Sequence, residues 1–155
     1  MNASFANAGG ICTRGVVFAY SAMSVAEAAR LMNERRVGSL LVVDEAVPER
    51  RTVVGMLTDR DIVTAVVARD VDPHSLSVAE IMSRNPACAR EDDALLDVLA
   101  LMRRRGVRRL PVTGVRGELI GLVTLDDVLE IVAEELQALS QAVGANVRRA
   151  SGPQP

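Results

Sequence analysis

The chain repeats itself, and that duplication limits what it can fold into more than any other feature does. ICTRGVV at 11–17 aligns with IMSRNPA at 81–87, an offset of 70. The same offset carries Leu31-Met32 onto Leu101-Met102 and VGSLLVV at 37–43 onto VRRLPVT at 107–113. Further on, VVGMLTDRDIV at 53–63 matches ELIGLVTLDDVL at 118–129, with Gly55 on Gly121 at an offset of 66. The first copy therefore holds four extra residues, in the polar turn AVPERRT at 46–52. One register change, confined to a turn that contains proline, is what duplication of a folded unit leaves behind.

Each copy reads as strand, helix, strand, strand, helix. The first helix opens at Ser24 with Glu27 three residues on, a capping box, and Val25, Ala28, Leu31 and Met32 recur at helical spacing. Arg35 and Arg36 close its last turn, where the helix dipole favours cations. Its twin runs from a cap at Asp92 or Asp93 through Leu95, Val98, Leu101 and Met102 to a terminating Gly106. The short apolar runs LLVV at 40–43 and LPV at 110–112 are strands, and Val53–Leu57 and Leu119–Val123 complete antiparallel hairpins. The last helix of each copy starts at Thr58 or Thr124, and Ser77 with Glu80 caps a short helix between the copies. A copy of about 65 residues buries too little surface to be comfortably stable alone. Packing the two sheets face to face solves this and creates a pseudo-twofold axis with two equivalent clefts. The expected fold class is α+β. Its expected divisions are a mobile start at 1–10, a first repeat at 11–70, a connecting segment at 71–80, a second repeat at 81–135, and an extension at 136–155 made of helix and mobile tail.

Composition excludes several functions. Hydrophobic residues make up 49% of the 155, so a substantial core is available, and aromatics at 2% make it an aliphatic one. So few rings leave nothing for nucleic-acid bases to stack on, and a net charge of −2 gives no general attraction to polyanions. All 18 basic residues are arginine, which rules out a lysine Schiff base or a P-loop lysine and makes the guanidinium fork the tool for any anion. Cys12, Cys88 and the single His74 form no metal-ligand spacing, so no metal site is expected. No nucleophile–base pair is visible either, and no catalytic residue is assigned. The opening MNASFANAGG lacks the features of a signal peptide and no segment is apolar for long enough to span a membrane, which points to the cytoplasm.

The stretches that carry chemistry are GMLTDRD at 55–61 and GLVTLDD at 121–127, both Gly-apolar-apolar-Thr-x-x-Asp at a strand-to-helix junction. Glycine lets a ligand approach the backbone, the threonine hydroxyl and first helical amides can donate to phosphate, and the aspartate can accept from a ribose diol. The same Thr-x-x-Asp is also an ordinary capping box, and local chemistry does not choose between the two.

These paired motifs, with IMSRNP, ICTRGV, SVAEAARLM and RLPV, resemble the tandem cystathionine-β-synthase (CBS) domain pair, or Bateman module, over about residues 11–135. The resemblance implies a regulatory module, not an enzyme, that binds an adenine nucleotide between its repeats and needs no cofactor. AMP, ADP or ATP are the implied ligands, with NAD or S-adenosylmethionine as further candidates. Carried onto this chain, cleft one takes Thr58, Arg60 and Asp61 with Ser83, Ala87, Val107, Arg108 and Arg109. Cleft two takes Thr124 and Asp127 with Thr13, Val17, Val37 and Gly38. Arg60, Arg108 and Arg109 give cleft one its positive charge, while Asp126 and Gly38-Ser39 stand at the equivalent places of cleft two. The expectation is one strong site and one weak or empty site.

RRRGVRR at 103–109 reads as a solvated helix end or as phosphate ligands, ahead of a nucleic-acid patch. Leu129, Val132, Leu136, Leu139 and Val143 extend the last helix at 3-4-3-4 spacing, and 136–143 is expected to meet a second subunit in a homodimer. A module with no effector of its own implies a partner protein in trans. The competing class is a ligand-free structural or stress-response adaptor whose Thr-x-x-Asp motifs are only caps.

Overall fold

The computed structural model describes residues 7–47 and 50–150, and for 45–47 and 145–150 the backbone alone. In chain order the elements are α1 (Ala8–Ile11), β1 (Phe18–Tyr20), α2 (Val25–Arg35), β2 (Ser39–Val47), β3 (Arg50–Thr58) and α3 (Asp59–Ala65). A 3-10 turn at Val67–Arg69 leads to α4 (Val78–Ile81) and β4 (Ser83–Arg84). The second half holds β5 (Ala89–Arg90), α5 (Leu95–Arg105), β6 (Arg109–Thr113), β7 (Leu119–Thr124) and α6 (Leu125–Ala150).

The duplication is visible in the topology. Sheet one has strand order β1-β2-β3-β4 and sheet two β5-β6-β7. In each, a parallel pair (β1 with β2, β5 with β6) precedes an antiparallel hairpin. Ser39 pairs with Thr58 in the first hairpin and Arg109 with Thr124 in the second, so equivalent residues stand at equivalent strand ends.

Helix termini explain why the elements begin and end where they do. Ser24 and Glu27 form the expected capping box on α2, with Ser24 Oγ and N both donating to Glu27 Oε2 at 2.7 and 2.9 Å. Ser77 N and Oγ donate to Glu80 Oε2 at 2.7 and 2.8 Å at the start of α4. On α5 the N-cap is Ala94 rather than Asp92 or Asp93, because Asp93 Oδ2 accepts from the Arg90 amide at 2.8 Å and Asp92 pairs with the Arg90 side chain. Both α2 and α5 end in the left-handed region, at Gly106 (φ 64°) and at Arg36 (φ 53°).

Two buried clusters form the interior, one per repeat. The first gathers Ala19, Ala28, Met32, Leu40, Val42, Leu57, Val78 and Met82, and the second Ala8, Ala89, Leu95, Val98, Met102, Leu110, Val112, Val123 and Val128. Strand alternation turns Leu41, Val43 and Pro111 to the opposite sheet faces, and these are buried as well, as packing sheet on sheet requires.

The lead-in segments cross over. The α4–β4 segment, which precedes the second repeat in sequence, packs its Val78 and Met82 into the first core and pairs β4 with β3. Reciprocally, Ala8 lies in the second core, and Thr13 exchanges backbone hydrogen bonds with Leu122 on β7 at 2.9 and 3.0 Å. Residues 7–10 were expected to belong to a mobile start. Instead the Asn7 side chain caps α1 by accepting from the Gly10 amide at 2.8 Å, and Ala8 is fully buried. The calls on 1–6 and 151–155 lie outside the described residues; residues 146–150, expected in the mobile tail, continue α6.

Candidate functional site

Where the two hairpin ends meet, the crossing segments leave two clefts. Cleft one, about 340 Å³, is lined by Ser39, Met56, Thr58, Ser83, Pro86, Ala87, Val107, Arg108 and Arg109. Cleft two, about 410 Å³, is lined by Thr13, Gly15, Val16, Val17, Arg36, Val37, Gly38, Ser39, Arg109, Leu122 and Thr124. Both volumes lie in the range of small-molecule sites, roughly 300–1,000 Å³. Each cleft draws on both repeats. Of the residues assigned from sequence, the structure brings Thr58, Ser83, Ala87, Val107, Arg108 and Arg109 together in the first cleft. It brings Thr13, Val17, Val37, Gly38 and Thr124 together in the second. Arg60, Asp61 and Asp127 are not among the lining residues.

For the two aspartates the reason lies in the helix caps. Asp61 Oδ2 accepts from Thr58 N and Thr58 Oγ1 at 2.8 and 2.7 Å, and Asp61 N donates back to Thr58 Oγ1 at 3.2 Å. Asp127 and Thr124 repeat this geometry at 2.9, 2.7 and 3.2 Å. Each threonine's one hydroxyl proton is therefore committed to its aspartate, and the oxygen that faces the cleft can only accept. The helical amides at α3 are taken too: Asp59 N donates to the Gly38 carbonyl at 3.0 Å and Arg60 N to Asp59 Oδ1 at 2.8 Å. The expected phosphate donors at this junction are thus already engaged, which leaves anion recognition to the arginines.

The motif glycines also serve another purpose than the one read from sequence. A Cβ on Gly55 would collide with Met82 Sδ and lie 3.0 Å from the Ser83 carbonyl oxygen. One on Gly121 would lie 2.6 Å from the Thr13 carbonyl oxygen and 2.7 Å from Cys12 Sγ. Both glycines admit the crossing segment, not a ligand.

Charge is distributed differently from the sequence expectation. Cleft two does not lack cations, since Arg36 and Arg109 both line it. In cleft one, Arg108 Nη2 lies 3.7 Å from Asp126 Oδ1, both side chains largely exposed, so the pair is weak and leaves most of the arginine's charge available. Among the described residues no acidic side chain lines either cleft. Sequence reasoning missed Met56 and Pro86 in cleft one, Gly15, Val16, Arg36 and Leu122 in cleft two, and the reach of Ser39 and Arg109 into both. Ser39 was read as the repeat partner of Arg109, whereas Arg36 stands where the second copy has Gly106 and gave no signal.

Cys88 is half-buried, and that burial pushes its thiol up from the ordinary value. Among the described residues no group of three or more His, Cys, Asp or Glu is placed to hold a metal, and no helix is long and apolar enough to cross a membrane.

Fold and clefts together define a duplicated α/β module with paired ligand-sized sites between its halves. The family model of the CBS domain matches residues 8–68 and 78–134, and the chain belongs to the CBS-domain family. It is 32% identical over 123 residues to an uncharacterized protein of Methanopyrus kandleri, covering 79% of this chain and 61% of that one. It is 36% identical over 118 residues to an uncharacterized 17.7 kDa protein of Acidianus ambivalens, covering 76% of this chain and 68% of that one. Among solved structures it resembles CBSX2 in complex with AMP (TM-score 0.67, 25% identity, 83% of this chain and 96% of that one). It also resembles the CBS domain pair of MJ0100 in complex with 5-methylthioadenosine and S-adenosyl-L-methionine (TM-score 0.69, 25% identity, 84% and 98%).

Proposed function

We propose that the chain is a regulatory module that binds an adenine nucleotide in its inter-repeat clefts. The observation that carries the reading is the make-up of the clefts: an apolar wall and arginines, with no carboxylate in the lining among the described residues. In cleft one, Met56, Pro86, Ala87 and Val107 would sandwich a base while Arg108 and Arg109 take the phosphate. In cleft two, Val16, Val17, Val37 and Leu122 form the wall, with Arg36 and Arg109 as anion ligands. A ribose hydroxyl would donate to the threonine oxygens, and Asp61 and Asp127 act by holding those threonines in place. AMP and ATP are the ligands ranked first, with NAD and S-adenosylmethionine after them; AMP and S-adenosyl-L-methionine complexes of similar CBS pairs support an adenine-bearing ligand of this kind.

Since each cleft is lined by both repeats, a bound ligand favours one relative placement of the halves, and that preference is what a partner protein in trans would read. The apolar stripe of α6 supports a homodimer. Leu136 and Leu139 are each 62% exposed, and Val143 64%. The competing reading, a ligand-free adaptor, draws on the self-satisfied caps at Thr58–Asp61 and Thr124–Asp127. Thermal unfolding separates the two. A ligand present at a hundred times its dissociation constant stabilises the fold by about 2.7 kcal/mol. A rise in Tm with one adenylate, reduced by Arg108→Ala, supports the sensor; no rise with AMP, ADP, ATP, NAD or S-adenosylmethionine favours the adaptor.

A further inference from the structure

The repeat relation places Ser39 and Arg109 at equivalent positions, each the first residue of its strand and each paired with its motif threonine, Thr58 or Thr124. In the folded chain these two side chains meet. Arg109 Nη1 donates to Ser39 Oγ at 3.3 Å, across the junction between the repeats. Both residues line cleft one and both line cleft two. The other cleft arginines are private: Arg108 lines only the first and Arg36 only the second. The pseudo-twofold axis thus has an arginine on one side and a serine on the other, and a single guanidinium faces two sites.

We propose that Arg109 is one anion ligand shared between the two clefts, so that filling either cleft with a phosphate-bearing ligand weakens the other. The inference rests on the clefts being nucleotide sites. A guanidinium binds a phosphate best as a bidentate fork, in one plane and with one partner. Its resting bond to the neutral Ser39 hydroxyl is weak and easily exchanged, so the fork can turn toward either cleft. Once it has turned, the other cleft keeps only its private arginine and faces a phosphate across the junction. The consequence is negative coupling that depends on ligand charge: strong for ATP, present for AMP and absent for adenosine. The fold's symmetry creates the two sites, and one asymmetric residue makes them compete.

Calorimetric titration of the whole chain with AMP and, separately, with adenosine tests this without any substitution. The expected result is two AMP steps with the second weaker by roughly tenfold, the scale of one charge-assisted hydrogen bond, and adenosine steps much closer together. Two substitutions extend the test. Ser39→Arg gives each cleft its own fork and should draw the AMP steps together mainly by tightening the second. Arg109→Ser should weaken both steps, where an arginine serving one cleft would weaken one. AMP steps that are no further apart than those of adenosine, or an Arg109→Ser chain that loses affinity at one step only, would overturn the sharing and leave the clefts as nucleotide sites. Binding of neither AMP nor adenosine would overturn the nucleotide reading, and the sharing with it.

Discussion

A methyl group on Gly121 would stand 2.6 Å from a backbone oxygen of the crossing segment, whereas on Gly55 the nearest atom is the flexible Met82 sulfur. Overpacking of this kind costs about 1–3 kcal/mol, so both Gly→Ala variants should lower the urea midpoint, Gly121→Ala by more, because Met82 can move and the Thr13 backbone cannot. Equal losses would show that the crossing segments yield alike. Arg36 presents the opposite case, a side chain held at φ 53° where the second copy has Gly106. Its left-handed backbone costs roughly 1–2 kcal/mol. Arg36→Gly is therefore expected to raise stability by about 1 kcal/mol while weakening anion binding in cleft two, a trade read by unfolding and titration of the same variant. The caps titrate as well. Hydrogen bonds from Ser24 hold the Glu27 carboxyl below its ordinary value, and the Ser77 amide does the same for Glu80. Groups depressed in the folded state stabilise it above the ordinary glutamate value of 4.5 and lose that contribution as pH falls through the lowered folded value. The unfolding midpoint should accordingly drop on acidification below the glutamate range, less steeply in a Glu27→Gln, Glu80→Gln chain. An identical slope in that chain would remove the caps as the cause.

At the scale of elements, α1 is the segment whose role changes most between sequence and structure. It contains four residues and two glycines, with no periodicity to read. Beyond the local Asn7 cap, its place comes from tertiary contacts: Ala8 N donates to the Asp93 carbonyl and Gly9 N to that of Glu91, at 2.8 and 2.9 Å. Ala8→Asp, which buries an unpaired carboxylate, should destabilise the chain by more than about 2 kcal/mol, while Val115→Asp on an exposed turn should change little. The helices and hairpins were legible because their signals are local: the capping box at Ser24, the short apolar run Leu40–Val43, Gly106 at a helix end. The exchange of the lead-in segments was not legible in the residues themselves, because ICTRGVV and IMSRNPA mark equivalent places without saying which hairpin each joins; only the family resemblance set Ser83 beside Thr58 and Thr13 beside Thr124. The clefts were legible in part for the same reason. Thr58 followed from the motif, and Val107 and Arg109 from the family resemblance, but the inward turn of Asp61 and Asp127 onto their threonines is a cap geometry that Thr-x-x-Asp permits equally with a ligand site.

The whole molecule is held as two cores that trade their first segments, so neither repeat is complete without the chain of the other. That exchange makes the clefts a property of the pair. Ser83, delivered by the segment that joins sheet one, stands in cleft one beside Thr58 of the first repeat and Arg108 of the second. Assembly should extend outward along α6. Leu136→Glu with Leu139→Glu is expected to shift the sedimenting mass from dimer to monomer at unchanged helix content; a mass that does not change would place any interface elsewhere. Ligand binding at the clefts remains the claim on which the regulatory account stands, and methyl NMR of the full chain with AMP addresses it directly. The account predicts saturable shifts at Ala87, Val107 and Met56 in cleft one and at Val17 and Val37 in cleft two, with buried Leu40 and Val98 of the cores little affected. Shifts confined to the outer helix face at Leu96 and Leu99, or none at any adenylate concentration, would contradict it.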